Sequence, residues 1–436
     1  MTNLTSEVII LFNLNEYIGG GETFTLRFAK YLKKINKNVI IISSSERGWL
    51  LKESNKYAIK SFRWPIEEKS INYMNSREIG ILNQWFNEIT DIGINFKVFT
   101  VCMRDLHNII YLSKKISKKE IKIFHGIYHS EDCLYLSSLS FNPMKFINLN
   151  QSICRELFSN KSLLFISKES IPLTLGSNLQ DSNTYKNIAN FAPIPIEIKS
   201  EFSSLKNKKN KKIEVICISR FVGFKIAAVI ALIKFIKNKS NFHLNIIGYG
   251  IFKPLIDFYL FFHKVKNVDL LGRIEPNQLS KFIISSNIGY AQGTAILEIA
   301  KHGIPVIVAP YSNISNLFNS DYKTLGFFGI DSLENEFGDT SSFINIRTFT
   351  IENCINRALK NYDIYSKKTW EIVQNYSTDK VLPEILKFIS HAKYSSLNSN
   401  NHPLPIKPPI IKLIIKKIIY LKNNFQKKIS NKFFSL

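Results

Sequence analysis

The chain has 436 residues, too many for one ordinary core and enough for about two or three domains. With 45% hydrophobic and 21% charged residues it has a globular profile, which excludes a disordered or fibrous chain. The formal net charge of +24 implies an anionic partner (nucleic acid, an acidic membrane surface or a phosphorylated ligand) without choosing among them.

Lys, Asn, Ile and Ser are so abundant that codon bias is the simplest reading, and single lysines carry little weight. The cysteines Cys102, Cys133, Cys154, Cys217 and Cys354 are scattered, odd in number and without a CxxC pair. That argues against a disulfide framework or a zinc site and suits a reducing, cytoplasmic compartment. The N-terminus lacks a basic leader, and its apolar run at 8–12 is too short for a signal peptide. No stretch reaches the roughly 18 apolar residues of a spanning helix. A soluble or peripheral protein is expected.

In chain order, residues 8–12 form a short apolar run of the kind buried parallel strands show. A glycine turn follows at Gly19, Gly20 and Gly21, then a helix with Phe24, Phe28, Leu32 and Ile35 on one side, then a second strand at 39–42. Further strand-like runs occur at 97–101, 121–124 and 163–166, each followed by a turn or a helical pattern. Strands alternating with helices predict a parallel sheet covered on both faces. Residues 192–195 turn proline-rich, and the lysines at 206, 208, 209, 211 and 212 read as a solvated linker. A second alternating series has strands at 215–218, 244–247, 268–271 and 306–308. The expected organisation is a first Rossmann-like domain over 1–192 and a second over 193–392, whose last helices, 365–392, cross back to the first. Between two such halves lies a cleft that strand carboxyl ends and helix N-termini face.

Beyond 392 come a linker and a tail, 393–436. Pro403, Pro405, Pro408 and Pro409 forbid a helix there, and an acid-free, lysine-rich segment follows. Wound as a helix, it puts Ile411, Ile414, Ile415, Ile418, Phe425 and Ile429 on one face, with lysines mostly elsewhere. Such an amphipathic segment suits an anionic membrane surface through 409–436, and a partner-docking helix or a solvated, partly disordered end is the alternative. Lys114, Lys115, Lys118 and Lys119 in the first domain would extend the same basic surface.

Several short elements carry chemistry. Arg220 and Lys225 follow a strand, where their side chains can enter the cleft and meet an anionic group. Glu298 lies one turn into a helix that begins near Gly293; a carboxylate there can accept hydrogen bonds from ribose hydroxyls, and it is also a favourable helix charge. The amides of Gly293 and Thr294 at the same helix start are candidates for cradling a diphosphate. The glycines at 19–21 suggest backbone approach by a ligand, while Glu22 is either a ligand contact or a helix-dipole charge. His125 follows the strand at 121–124 and is either a site residue or structural. His129, Glu131 and Asp132 match no standard metal-ligand spacing.

The second half resembles glycosyltransferase family four, of the GT-B fold. The resemblance rests on Ser219-Arg220 with Lys225, on Gly248-Tyr249-Gly250, on Leu271-Gly272-Arg273 with Leu279, and on the run from Gly293 to Glu298. His302 to Ile307 and Tyr376-Ser377 continue it. In the first half, Gly19-Gly20-Gly21-Glu22 and His125-Gly126 match more loosely. The resemblance implies a retaining, metal-independent transferase that moves a hexose from a nucleoside diphosphate sugar to a lipid-linked or oligosaccharide acceptor in cell-surface polysaccharide synthesis. It implies His125, Arg220 and Lys225 as catalytic residues, and Gly20, Gly21, Glu22, Gly248, Gly250, Gly293, Thr294 and Glu298 as substrate-binding ones. No cofactor and no Asp-x-Asp metal element is expected.

One position departs from the pattern: the first glutamate of the Glu-x7-Glu pair, which in the family faces the transferred sugar, falls on Tyr290. That departure motivates the alternative of a non-catalytic nucleotide-sugar-binding subunit. The charge motivates a nucleic-acid binder, but no helix-turn-helix, zinc-finger or RNA-binding signature is present, so no nucleic-acid partner is expected.

Overall fold

The structure, a computed structural model, describes residues 7–15, 19–44, 48–66, 74–91, 95–115, 121–129, 132–134, 143–167, 170–176, 189–198, 212–312, 323–332, 337–338, 348–391 and 393. The tail at 409–436, the lysines at 118, 119 and 206–211, and Glu131 lie outside the described residues.

Two parallel sheets form, as the alternation predicts. The first comprises β1 (Glu7–Phe12), β2 (Asn38–Ser43), β3 (Lys60–Arg63), β4 (Asn95–Thr100), β5 (Ile121–Ile127), β6 (Leu163–Phe165) and β7 (Asn190–Phe191). Its spatial order is β3-β2-β1-β4-β5-β6-β7. The second comprises β8 (Ile213–Ile218), β9 (Phe242–Ile247), β10 (Val268–Gly272), β11 (Ile288–Ala291) and β12 (Val306–Val308), in the order β10-β9-β8-β11-β12. A small antiparallel pair, β13 (Lys323–Thr324) with β14 (Phe349–Thr350), stands apart from both.

Why these residues form these strands is written in their burial. In β1 and β2 every residue after the first is buried, because helices cover both sheet faces. Three strands of the two parallel sheets were not legible in the sequence, nor was the β13–β14 pair. β3 (KSFR) is a polar edge strand with exposed ends, and β7 has only two residues. β11 (IGYA) is short and contains a glycine, yet it pairs with β8 and β12 in the middle of the second sheet and is wholly buried. Tyr290 belongs to this strand, and its side chain packs in the core of the second sheet.

The order of each sheet reverses beside its first strand, between β1 and β4 and again between β8 and β11. Such switch points open a crevice at the strand carboxyl ends. The chain is tied across the two units at its end. The helix Thr378–His391 packs Val381, Leu382, Ile385, Phe388 and Ile389 against Phe24, Phe28 and Phe124 of the first unit. Ile196 bonds through its backbone to Tyr376 and Thr378 on either side of Ser377. Among the described residues no helix is long and apolar enough to cross a membrane.

Candidate functional site

The switch points of the two sheets face each other, and most of the sequence-predicted site residues lie there. After β1 the chain enters the glycine turn and the helix Gly20–Lys34. After β8 it runs through Ser219-Arg220 into the helix Gly223–Ile236, which carries Lys225 in its first turn. After β11 it passes Gln292 and Gly293 into the helix Thr294–Ala300. The approach is close: a Cβ added to Gly20 would stand 2.8 Å from Thr294 Cγ2, and one on Gly19 would stand 3.7 Å from an Arg220 guanidinium nitrogen.

Glu22 occupies the floor of this junction. It is buried, and its Oε1 accepts a 2.6 Å hydrogen bond from Asn15 Nδ2. Asn15 Oδ1 in turn accepts from Arg104 (3.2 Å), whose Nε donates to the fully buried Asp105. Asp105 also accepts from the backbone N–H of Leu14, fixing the chain as it leaves β1. Burial pushes the Glu22 carboxyl up, against the Asn15 hydrogen bond and the charge of Arg220. Arg220 is exposed toward the cleft. Lys225 is nearly buried; its Nζ lies 3.4 Å from the carbonyl oxygen of Gln292 and 5.5 Å from the centre of the Phe224 ring. Two cations therefore flank the end of β8, one open to the cleft and one held against β11.

Glu298 is reached from both domains. Its Oε1 accepts from Arg27 Nη2 at 2.6 Å, and its Oε2 accepts from Lys301 at 2.7 Å. Arg27 also donates to the carbonyl of Pro195, and Lys30, one turn on, pairs with Glu197. Burial works against ionisation of Glu298, but Lys301 and Arg27 together hold its carboxyl below the usual range. Arg27 was not foreseen from the sequence. The available signal was its position seven residues after Gly20, on the same helix face two turns along.

Some predicted residues are used otherwise than the motifs imply. His125, on β5, is fully buried, with Nδ1 2.8 Å from Thr100 Oγ1 and Nε2 3.1 Å from Asp132 Oδ2. Asp132 Oδ1 accepts the N–H of Met103, the first residue of the helix Met103–Lys115. Both imidazole nitrogens are thus engaged inside the first domain, where the ring anchors a helix start. Gly248 and Gly250 give close approach to protein rather than to open space: a Cβ on Gly248 would lie 1.8 Å from the Ser219 carbonyl oxygen, and one on Gly250 would lie 2.5 Å from that of Phe221. Gly293 has φ of 70°, which suits glycine, and donates its N–H to the Phe337 carbonyl at 2.7 Å. That amide is therefore committed. Among the described residues no protein acceptor is bonded to the amides of Thr294 and Ala295. Gly21 lies beside Val101 and Asn13 at ordinary contact distance. No group of three or more His, Cys, Asp or Glu side chains that would hold a metal occurs among the described residues.

Across the cleft, Phe224 stacks on Tyr311 (centroids 5.4 Å, planes 9° apart) and meets His129 of the first domain edge-on at 5.6 Å. These rings line the junction next to Lys225, and none of them was singled out as an aromatic cluster in the sequence.

No family model and no curated protein sequence matches the chain. Solved structures do match. A glycosyltransferase from Rickettsia africae superposes with a TM-score of 0.58 at 16% identity, over 88% of this chain and 98% of that one. HepE from Anabaena, solved with UDP and glucose, gives 0.57 at 12% identity over 88% and 99%. TarM of S. aureus, solved with fondaparinux, α-GlcNAc-glycerol and UDP, gives 0.55 at 10% identity over 88% and 100%. Likeness at such low identity establishes the fold: two Rossmann-like domains of the GT-B type.

Proposed function

We propose that the protein is a glycosyltransferase that takes a sugar from a nucleoside diphosphate donor held in the cleft between its two domains. One observation carries the reading: Arg220, Lys225, Thr294 and Glu298 gather at the switch point of the second sheet, directly opposite the glycine turn and Glu22 at the switch point of the first. The donor's diphosphate lies between the Thr294 and Ala295 amides and the two cations. As the glycosidic bond to the diphosphate breaks, negative charge grows on the leaving oxygen, and cations already in place lower that barrier without reorganising. Glu298 takes the ribose hydroxyls, its carboxylate kept ionised by Arg27 and Lys301.

The motif resemblance to family four extends the proposal to retention of configuration without a metal, with the departing phosphate helping to deprotonate the acceptor hydroxyl. A lipid-linked or oligosaccharide acceptor enters from the first domain, beside Glu22 and Arg104. His125 serves as a positioning residue through Asp132, since its ring is enclosed. Tyr290, which stands where the family pattern has its first glutamate, is buried in the core of the second sheet, so the cleft receives no carboxylate from that position and a non-catalytic nucleotide-sugar-binding subunit stays the alternative.

The test uses purified full-length protein. Glu298→Ala weakens UDP binding by roughly 1.5–3 kcal/mol in calorimetry, the range for hydrogen bonds to a charged group. Arg220→Ala or Lys225→Ala lowers turnover more than it weakens donor binding. Unchanged affinity in a folded Glu298 variant defeats the ribose assignment. A wild-type protein that binds UDP-sugars but never releases UDP is a binding subunit instead.

A further inference from the structure

The helix Lys253–Phe262 covers one edge of the second sheet, between β9 and β10, and it is apolar on both sides. Ile256 is fully buried, and Leu255, Tyr259 and Leu260 pack partly against the core. The opposite side is also apolar. Phe258 is 63% exposed, Phe261 84% and Phe262 66%, and Ile251 just before the helix is 81% exposed. Of nine large hydrophobic side chains exposed among the described residues, these four fall within twelve positions of the chain. Spacings of three and four residues put the three phenyl rings on one helix face, and Phe258 and Phe262 stack at 5.8 Å. An exposed apolar cluster of this kind, rimmed by polar groups, marks a contact surface.

The rim decides what that contact is. Lys253 heads the helix, His263, Lys264 and Lys266 follow it, all exposed, and Lys237 lies over the Tyr259 ring at 5.8 Å. Asp257 is the sole acid within the helix, and it is already paired with Lys253. A second copy of this chain would set these lysines against the same lysines, on a protein of net charge +24. The segment 409–436 has no acidic residue and seven lysines, so it repels the rim as well. An anionic bilayer satisfies both features, with lipid phosphates meeting the lysines and the phenyl rings entering the boundary between headgroups and acyl chains.

We infer that the exposed face of the helix Lys253–Phe262, with Ile251, docks the second domain onto an anionic membrane surface. Docked there, the helix lies along the bilayer, and the Gly248–Gly250 loop that leads into it stands close to the headgroups. The inference does not depend on the catalytic reading above.

The experiment uses the full-length chain and vesicles of equal parts phosphatidylglycerol and phosphatidylcholine, with pure phosphatidylcholine as control. In a Phe261→Trp variant, brominated acyl chains quench emission beyond the quenching of the wild-type protein. The triple variant Phe258→Ser, Phe261→Ser, Phe262→Ser partitions onto the anionic vesicles about tenfold or more weakly. Its nucleotide affinity and melting temperature stay at wild-type values, because the three rings are exposed. Binding to vesicles without extra quenching at position 261, or equal binding by the triple variant, overturns the proposal and leaves the tail as the anchor. A wild-type dimer in sedimentation velocity that the triple variant dissolves also overturns it, in favour of a second copy.

Discussion

At Gly20 the two domains approach closely, and adding one methyl there gives a measurable consequence. In Gly20→Ala the new Cβ stands 2.8 Å from Thr294 Cγ2 and 3.2 Å from Thr294 Oγ1. Carbon atoms settle at about 3.5–4.0 Å, so one side of the junction must recede by about 0.7 Å or more. The first domain itself should not suffer, because position 20 opens the helix Gly20–Lys34 and alanine is the better helix former. The strain falls instead on the approach of the domains. Arg27, two turns along the same helix, must then lengthen its 2.6 Å contact with Glu298 and its bond to Pro195. Misplacement of about 1 Å can cost about a hundredfold in a reaction that depends on positioning. We therefore expect kcat/KM to fall by roughly ten- to a hundredfold, while the melting temperature holds. UDP affinity changes little, since Thr294 and Glu298 belong to the second domain. Steady-state kinetics with calorimetry and thermal melting measure all three. Thr294→Ala removes both clashing atoms, so the double variant should recover activity relative to Gly20→Ala when each is referred to its Thr294→Ala background. Wild-type activity in Gly20→Ala, or strictly additive losses in the cycle, would show that the two residues do not meet in the working protein.

Two further predictions follow from buried titratable groups. Burial raises the Glu22 pKa in the fold, so stability is lost as pH rises from the ordinary carboxylate value through the folded one; Glu22→Gln should melt higher at neutral pH, with no gain below the carboxylate range, while turnover falls about tenfold or more. A lower melting temperature at neutral pH would contradict the burial argument. His107 is enclosed, 2.9 Å from Asn150 Oδ1, and burial lowers its pKa from 6.5 to about 4. A depressed histidine stabilises the fold above its unfolded pKa and loses that contribution as pH falls toward the folded value. Urea unfolding should therefore lose up to about 3 kcal/mol between pH 6.5 and 4, beyond any carboxylate contribution, and His107→Gln should flatten that part of the curve. An unaltered slope in the variant would mean that the histidine is not the group that titrates.

By itself the sequence determined most strands of the two sheets and the strand carboxyl ends at which the candidate site residues lie. Strands covered on both faces are mostly apolar, so β1, β2, β5 and β8 stand out as short apolar-rich runs, and the glycine turns and helix starts after them mark the strand carboxyl ends. That information is local, carried by consecutive residues. What each marked residue touches is not local. Arg27 and Glu298 are 271 residues apart, and no periodicity relates them; only the docking of one domain on the other makes them a pair. Both nitrogens of His125 are consumed because β4 lies beside β5 in register, bringing Thr100 opposite, and because the chain returns through Asp132. β11 was illegible because four residues with a central glycine look like a loop until β8 and β12 enclose them, and with that strand went the side-chain direction of Tyr290. The run from Leu255 to Phe262 is apolar except for Asp257. Its packing buries Ile256 and leaves Phe258, Phe261 and Phe262 in solvent, since a helix at the edge of a sheet can press only one face against it.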